Sequence, residues 1–196
     1  LASAITTVAG GRLFYRGRDA VELSQTETLE AVARLLRGGH GAALKRTDRP
    51  KPPEGADMRS RAFAALAARA GIDPPARGRN PLALAVEAAT LLDVLTDAVA
   101  GEVGGGAIAN RLALAWGLGP GGPGADLIRR ALVLLADHEL NASTFAARVA
   151  ASTGASLAAS GLAGLAALSG PRHGGAAAAI QSLARDAILT SPRAAI

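Results

Sequence analysis

Apolar residues recur at helical spacing along most of this chain, in segments separated by glycine, proline and asparagine. In the first such segment Leu29, Val32 and Leu36 follow Thr28, which can cap a helix, and Gly38 is placed to end it. The same criteria predict further helices over residues 57–70, 80–100, 103–116, 126–136, 142–152, 156–168 and 174–189. The pattern therefore indicates a chain that is helical over most of its length.

The N-terminal residues follow a different pattern. Two β-rich runs, at 5–8 and 12–15, flank Gly10 and Gly11, which predicts a short hairpin. We therefore predict an all-α, multi-helix fold that opens with a short N-terminal β-hairpin. Its predicted parts are the hairpin and first helix at 1–37, a loop rich in glycine and proline at 38–55, and a helical core at 56–196.

The composition fits closely packed helices. Apolar residues make up 49% of the sequence and aromatic residues only 3%, so the core is built from small side chains. Gly161 and Gly164 lie three residues apart in an alanine-lined segment, which predicts close helix packing rather than a ligand loop. The sequence has no cysteine, which excludes disulfide scaffolds, cysteine-based zinc sites and thiol nucleophiles.

The formal net charge is +5, and Lys45 and Lys51 are the only lysines, so the positive charge is almost wholly arginine. Guanidinium groups suit nucleic acids and small anionic ligands alike, but these arginines are scattered singly, which argues against nucleic acid as a partner. The longest uncharged apolar stretch, 155–168, is shorter than the roughly 20 residues of a membrane span. The N-terminal residues lack the features of a signal peptide. We expect no membrane span and a cytoplasmic location.

Polar residues cluster at 137–144, where one predicted helix ends and the next begins. Asn141 or Ser143 can cap the incoming helix, whose free N–H groups and positive dipole end would attract a carboxylate or phosphate. The alternative interpretation is an ordinary capping turn with a solvated Asp137 and Glu139.

His173 lies between glycines and a proline, directly before the helix predicted at 174–189. The positive end of a helix dipole disfavours a second proton on the imidazole and so keeps the ring neutral. A neutral ring can donate one N–H to a carbonyl oxygen that gains negative charge, as enol chemistry requires. A loop histidine without a role is the alternative.

Other common constellations are not supported. His40, His138 and His173 are the three histidines, and they lack the helical pairing typical of a metal site, so we expect no metal. No serine lies in a nucleophile elbow, and neither a phosphate-binding loop nor a dinucleotide fingerprint is present.

Two motifs together resemble the citrate synthase family: ALVLLADHELNAST at 131–144 and GPRHGGA at 170–176. Residues 5–8, YRG at 15–17 and EAVARLL at 30–36 are also similar to the family's N-terminal hairpin and first helix. The resemblance therefore covers most of the chain, and the pairing of the two motifs makes it specific.

The resemblance implies a citrate synthase-like fold of a large and a small domain, commonly an intertwined homodimer that closes over oxaloacetate and then an acyl-CoA. It implies condensation of acetyl-CoA with oxaloacetate to citrate and CoA, with acetyl-CoA as co-substrate and no other cofactor. By position, His173 matches the catalytic histidine that hydrogen-bonds the thioester carbonyl, and His138 matches the histidine that hydrogen-bonds oxaloacetate. Asn141 and Gly174 are expected to add backbone contacts to the substrates.

The chain also departs from the family pattern. Arg172 stands where the family commonly has an apolar residue, and Ala177 and Ala178 replace a common Asn-Glu pair. The family's second catalytic histidine, in a Gly-Tyr-Gly-His loop, its catalytic aspartate and its carboxylate-binding arginines have no match here. Asp186 lies within a predicted helix and is not assigned the base role.

We therefore expect this chain to hold only part of an active site and to be inactive alone. A fragment, a subunit completed by a second polypeptide and a relative that has lost turnover all stay open. Two further readings of function also stay open: 2-methylcitrate synthesis from propionyl-CoA, and a non-catalytic module that senses such ligands.

Overall fold

The N-terminal hairpin is part of a three-stranded antiparallel sheet in the order β1-β2-β3. The computed structural model describes residues 4–39, 50–54, 57–139 and 141–175, together with residues 182 and 185. The strands are β1 (Thr6–Ala9), β2 (Arg12–Tyr15) and the two-residue β3 (Arg18–Asp19). Thr6 lies opposite Tyr15 in the β1–β2 register. The predicted hairpin is confirmed, and β3 extends it.

A short helix that the apolar pattern did not predict follows the sheet directly. Arg16 and Gly17 both adopt positive φ, 47° and 79°, and turn the chain from β2 into β3. Asp19 then caps α1 (Ala20–Thr26), because its Oδ1 accepts the N–H groups of Val21 at 2.8 Å and Glu22 at 3.0 Å. Seven residues are too few to show a helical apolar repeat, so the capping aspartate was the available signal.

The rest of the described chain is helical, which confirms the predicted fold class. The helices are α2 (Leu29–Leu36), α3 (Met58–Ile72), α4 (Pro81–Ala100), α5 (Ile108–Ala115), α6 (Pro123–Leu134), α7 (Ala142–Ser152) and α8 (Leu157–Leu168). Thr28, Asp57, Asn80 and Ser156 accept first-turn N–H groups as N-caps of α2, α3, α4 and α8, as their positions predicted.

Four helix ends differ from prediction by two residues or more, among them the end of α6, which is Leu134 rather than residue 136. Gly71 does not end α3, which continues to Ile72. The start of α5 is Ile108 rather than residue 103, and the Ile108 N–H is capped from a distance by Glu30 Oε1 at 2.8 Å. The start of α6 is Pro123 rather than Asp126, because proline fits the first position of a helix, where its missing N–H costs nothing.

Two predicted segments lie largely outside the described residues. Of the loop predicted at 38–55, residues 38–39 lie in a turn, residues 50–54 have no regular secondary structure, and the remainder is outside the described residues. Of the helix predicted at 174–189, Gly174 and Gly175 lie in a turn, and nearly all of the remainder is outside the described part of the chain.

Apolar side chains form three separate clusters among the described residues. One cluster joins the sheet to α1, α2 and α6 through the buried residues Tyr15, Ala20, Leu23, Val32 and Val133. The others join α3 to α4 and α8, and contain Ala65, Val94 and Ala98 in one and Leu66, Leu91 and Ala158 in the other. Both motifs of the candidate site lie on elements held by these clusters, since α6 belongs to the first and α8 to the last.

The glycines of α8 face neighbouring helices, as predicted. A Cβ at Gly161 would lie 3.5 Å from Leu66 Cδ2 on α3. One at Gly164 would lie 3.2 Å from both the backbone oxygen of Ser143 and Ala147 Cβ on α7. In the portion of the chain that the structure describes, no helix combines the length and apolar character needed to cross a membrane.

Candidate active site at the start of α7

Asn141 builds the first turn of α7. Its Oδ1 accepts the Thr144 N–H at 2.8 Å, the bond that defines a side-chain N-cap. The Ser143 hydroxyl donates to the same oxygen at 2.9 Å. The sequence allowed either Asn141 or Ser143 as the N-cap of α7. In the structure Asn141 is the N-cap, and Ser143 donates a hydrogen bond to it.

His173 reaches this helix start from a point 30 residues further along the chain. Its Nε2 lies 2.9 Å from Ser143 Oγ, and the ring is half-buried. The turn that carries it is closed by the N–H groups of His173 and Gly174, which donate to the Gly170 carbonyl at 3.0 and 2.9 Å. The structure thus brings His173, Ser143 and Asn141 together as one hydrogen-bonded group.

The His173 ring lies against the first turn of α7. The helix that the sequence predicts directly after His173, at 174–189, lies mostly outside the described residues. The first turn of α7 presents the positive end of a helix dipole, so the His173 ring does lie at a helix N-terminus.

The two glycines after His173 are required by close backbone contacts. A Cβ on Gly174 would lie 2.2 Å from the Leu168 carbonyl oxygen, and one on Gly175 would lie 2.2 Å from the Pro171 carbonyl oxygen. Neither distance is compatible with a side chain. Gly174 therefore shapes the turn that presents His173, and its backbone contact with substrate stays a prediction.

The proton of Ser143 decides which nitrogen of His173 can donate. In the arrangement found here that proton is directed to Asn141, so Ser143 Oγ accepts from His173 Nε2–H. A neutral ring then has its lone pair on Nδ1. If the hydroxyl turns toward His173 instead, Nε2 accepts and the proton of a neutral ring moves to Nδ1.

His138 lies in the connection between α6 and α7 and is exposed. Its Nε2 is 2.9 Å from the carbonyl oxygen of Leu134, the last residue of α6. The same oxygen accepts the hydroxyl of Tyr15 at 2.8 Å. The chain leaves His138 through Glu139, a non-glycine residue with φ of 60°, and so turns sharply before Asn141.

Sequence reasoning found four of the residues described here and missed two contacts. Ser143 was seen only as a cap, and Tyr15 only as part of a motif, since their partners are 30 and 119 residues away. His40 lies outside the described residues. Over the part of the chain that could be searched, no group of histidine, aspartate and glutamate side chains is arranged to hold a metal ion.

Comparison with known proteins identifies the family. Residues 105–190 match the family model of the citrate synthase C-terminal domain. A protein of Mycobacterium tuberculosis described as "Putative citrate synthase 2" is 34% identical over 190 residues, an alignment that covers 87% of this chain and 51% of the relative. Residues 105–190, which carry both motifs, belong to the citrate synthase family.

Two further members bear on substrate and fold. The 2-methylcitrate synthase 2 of Corynebacterium glutamicum is 42% identical over 72 residues, covering 34% of this chain and 19% of the relative. The ternary complex of carboxymethyl coenzyme A and oxaloacetate with citrate synthase from Thermoplasma acidophilum superposes with a TM-score of 0.69 at 25% identity. That match covers 94% of this chain and 58% of the other. The chain thus spans about half the length of these citrate synthases.

Proposed function

We propose that the protein containing this chain condenses acetyl-CoA with oxaloacetate and releases citrate and CoA. The observation that carries the proposal is the hydrogen bond between His173 and Ser143 at the start of α7. It holds an imidazole at the N-terminus of α7, and a ring nitrogen that carries a proton can donate it to a carbonyl oxygen. The ternary complex of the Thermoplasma acidophilum relative supports oxaloacetate and an acyl-CoA as the substrates.

His173 would stabilise the enol form of the acetyl group. With the Ser143 hydroxyl turned toward Nε2, the ring carries its proton on Nδ1 and donates it in a hydrogen bond to the thioester oxygen. A base removes a proton from the acetyl methyl group, and the resulting carbon attacks the ketone carbon of oxaloacetate. Water then cleaves the thioester, so one acetyl-CoA, one oxaloacetate and one water give citrate and CoA.

His138 and Asn141 would hold oxaloacetate next to that group. Asn141 keeps the first turn of α7 in shape, and His138 lies three residues before it, in a connection bent by Glu139. Holding the ketone near the enol converts a bimolecular encounter into an oriented one, which is a large part of catalysis of this kind. We propose no cofactor besides the acyl-CoA co-substrate, and a cytoplasmic location.

The protein would act as a homodimer. Phe145 and Val149 lie one turn apart on α7 and are each 50% exposed, which leaves an apolar stripe on the helix that carries the site. Stripes of this kind are commonly covered by a partner or by further chain.

The first test removes His173 from the natural gene product that contains this chain. His173→Ala should lower the turnover of citrate formation about 10²- to 10⁴-fold, the usual scale for one such catalytic group. Oxaloacetate binding, measured by calorimetry, should be retained and shows that the protein is folded. Unchanged turnover in His173→Ala would contradict the proposed role.

Propionyl-CoA is the competing co-substrate, and the 2-methylcitrate synthase relative is the observation in its favour. The ratio of kcat/KM for acetyl-CoA and propionyl-CoA in the unaltered protein decides between the two. Binding of both ligands without product in the unaltered protein would instead support a ligand-sensing module.

A further inference from the structure

The carbonyl of Leu134 connects the N-terminal sheet to His138. Leu134 ends α6, and the last carbonyls of a helix lack donors within the helix. Here the Leu134 oxygen uses both of its lone pairs, accepting the Tyr15 hydroxyl at 2.8 Å and His138 Nε2–H at 2.9 Å. Because a carbonyl can only accept, the proton of a neutral His138 ring lies on Nε2.

Tyr15 is the rigid member of this arrangement. Its side chain is fully buried, and it belongs to the cluster that includes Val133, with Leu134 and Ala136 packed against that cluster. Burial raises the pKa of the Tyr15 phenol, so the hydroxyl keeps the proton that it donates to Leu134.

His138 is the exposed member of this arrangement, so packing constrains its ring less than it constrains Tyr15. The bond to Leu134 is then what selects among the ring's rotamers and tautomers. An imidazole free in water populates both neutral tautomers, and the partner of one nitrogen decides which nitrogen meets a ligand.

We propose that Tyr15 is a positioning residue for His138: by fixing the Leu134 carbonyl at the end of α6, it fixes the orientation of the His138 ring and directs Nε2–H to that carbonyl. The role of His138 toward oxaloacetate rests on the proposed function. The orientation of the ring does not, and it can be measured in the absence of any substrate.

The test compares two buried substitutions in the same pair of strands. Tyr15→Phe keeps the buried ring and removes the donor to Leu134. Thr6→Val is the matched control, because Thr6 lies opposite Tyr15, is 1% exposed, and its Oγ1 has no hydrogen-bond partner among the described residues. The readout is the ¹⁵N chemical shifts of the His138 ring, assigned by their loss in His138→Gln.

Wild-type protein and Thr6→Val should show His138 in the Nε2–H tautomer, and Tyr15→Phe should show a several-fold larger share of the Nδ1–H tautomer. Identical ring shifts in folded Tyr15→Phe and wild-type protein would overturn the proposal. If Tyr15→Phe does not fold, 3-fluorotyrosine replaces the single tyrosine and gives a stronger donor of nearly the same size. This substitution should change the ¹⁵N chemical shifts of the His138 ring. Unchanged shifts would also overturn the proposal.

A second arm measures the dissociation constant of oxaloacetate in a double-mutant cycle. Tyr15→Phe should change the dissociation constant several-fold when His138 is present and should leave it unchanged in the His138→Ala background. An undiminished effect in that background would show that Tyr15 does not act through His138. Absence of oxaloacetate binding in wild-type protein would count against the proposed function alone, because the ring shifts still decide the role of Tyr15.

Discussion

The hydroxyl of Ser143 lies 2.9 Å from Asn141 Oδ1 and 2.9 Å from His173 Nε2. It has a single proton to share between them, so its rotation selects the tautomer of the catalytic candidate. Asn141 Oδ1 also accepts the Thr144 N–H. Because that bond is the N-cap of α7, the cap does not depend on Ser143.

Ser143→Ala should therefore affect catalysis without unfolding the helix. We expect kcat/KM for citrate formation to fall about fivefold, since His173 loses the partner that sets its tautomer and one hydrogen bond to a neutral group contributes roughly 1 kcal/mol. Steady-state kinetics of the gene product measure this.

Ser152→Ala is the matched control, because Ser152 lies on the same helix and its hydroxyl only donates to the Val149 carbonyl. Equal kinetics in the two variants would mean that the bond between Ser143 and His173 has no part in turnover.

Residues whose partners are near in sequence were predictable, and those with distant partners were not. Asn141 accepts the N–H of Thr144, three residues further along the chain. The capping preference of asparagine is therefore enough to predict this contact. The contact of His173 with Ser143 depends on how α7 and α8 pack, and that of Tyr15 with Leu134 depends on where the sheet meets α6. No local pattern contains that information.

At the scale of elements, Gly164 sets how closely α8 approaches α7. Its missing side chain leaves room for the Ser143 backbone oxygen and for Ala147 Cβ. Ser143 thus contacts Gly164 through its backbone oxygen and His173 through its hydroxyl. The position of the candidate site along α7 depends on this glycine.

Gly164→Ala and Gly161→Ala form a matched pair on one helix. A Cβ at Gly164 would lie 3.2 Å from two groups of α7, so we expect a loss of about 1–3 kcal/mol in the free energy of unfolding. A Cβ at Gly161 would lie 3.5 Å from Leu66 Cδ2, an ordinary contact, so the higher helix propensity of alanine should add about 0.5–1 kcal/mol.

Urea denaturation measures both values. Equal stability changes in the two alanine variants would contradict the view that Gly164 is the closer contact.

Element boundaries were predicted well where the capping residue was local. The start of α4 at Asn80 and Pro81 and that of α8 at Ser156 follow directly from sequence. The start of α5 was missed because its cap is Glu30, 78 residues away. A helix with a remote cap carries no signal at its own first residue.

At the scale of the whole molecule, arginine side chains close helix ends. Arg16 donates to the last carbonyl of α2 at 2.8 Å, and Arg61 donates to two carbonyls in the last turn of α4 at 2.7 and 3.0 Å. Arg129 donates to three carbonyls at the end of α1, at 2.6, 2.9 and 3.1 Å. Part of the arginine excess noted in the sequence is therefore structural, since a cation stabilises the negative end of a helix.

Aspartates act at the opposite ends of helices, and each has a lowered pKa. First-turn N–H groups lower the pKa of Asp19 at α1 and of Asp57 at α3, and a hydrogen bond from Arg129 lowers that of Asp126 in the first turn of α6. A carboxylate whose pKa is lower in the folded state contributes stability that is complete above the ordinary aspartate pKa of about 3.9. That contribution is lost as the pH falls through the folded-state values.

We therefore expect the free energy of unfolding to decrease as the pH falls below about 4, and Asp57→Asn to lose less of it than the unaltered chain. Asparagine still caps the helix but has no carboxylate to protonate. Urea denaturation between pH 7 and acid pH, run in parallel on both proteins, measures the difference. If Asp57→Asn showed the same acid sensitivity as the unaltered chain, the lowered pKa of Asp57 would make no contribution to stability.

The arginine-closed helix ends have a consequence for the choice of denaturant. The guanidinium ion is the same chemical group that Arg16, Arg61 and Arg129 place against the carbonyls of α2, α4 and α1. At molar concentration it competes directly for those oxygens, whereas urea carries no charge with which to replace an arginine at the negative end of a helix. We therefore expect guanidinium chloride to weaken these three helix ends more than urea does, which makes urea the better denaturant for comparing the stability of variants.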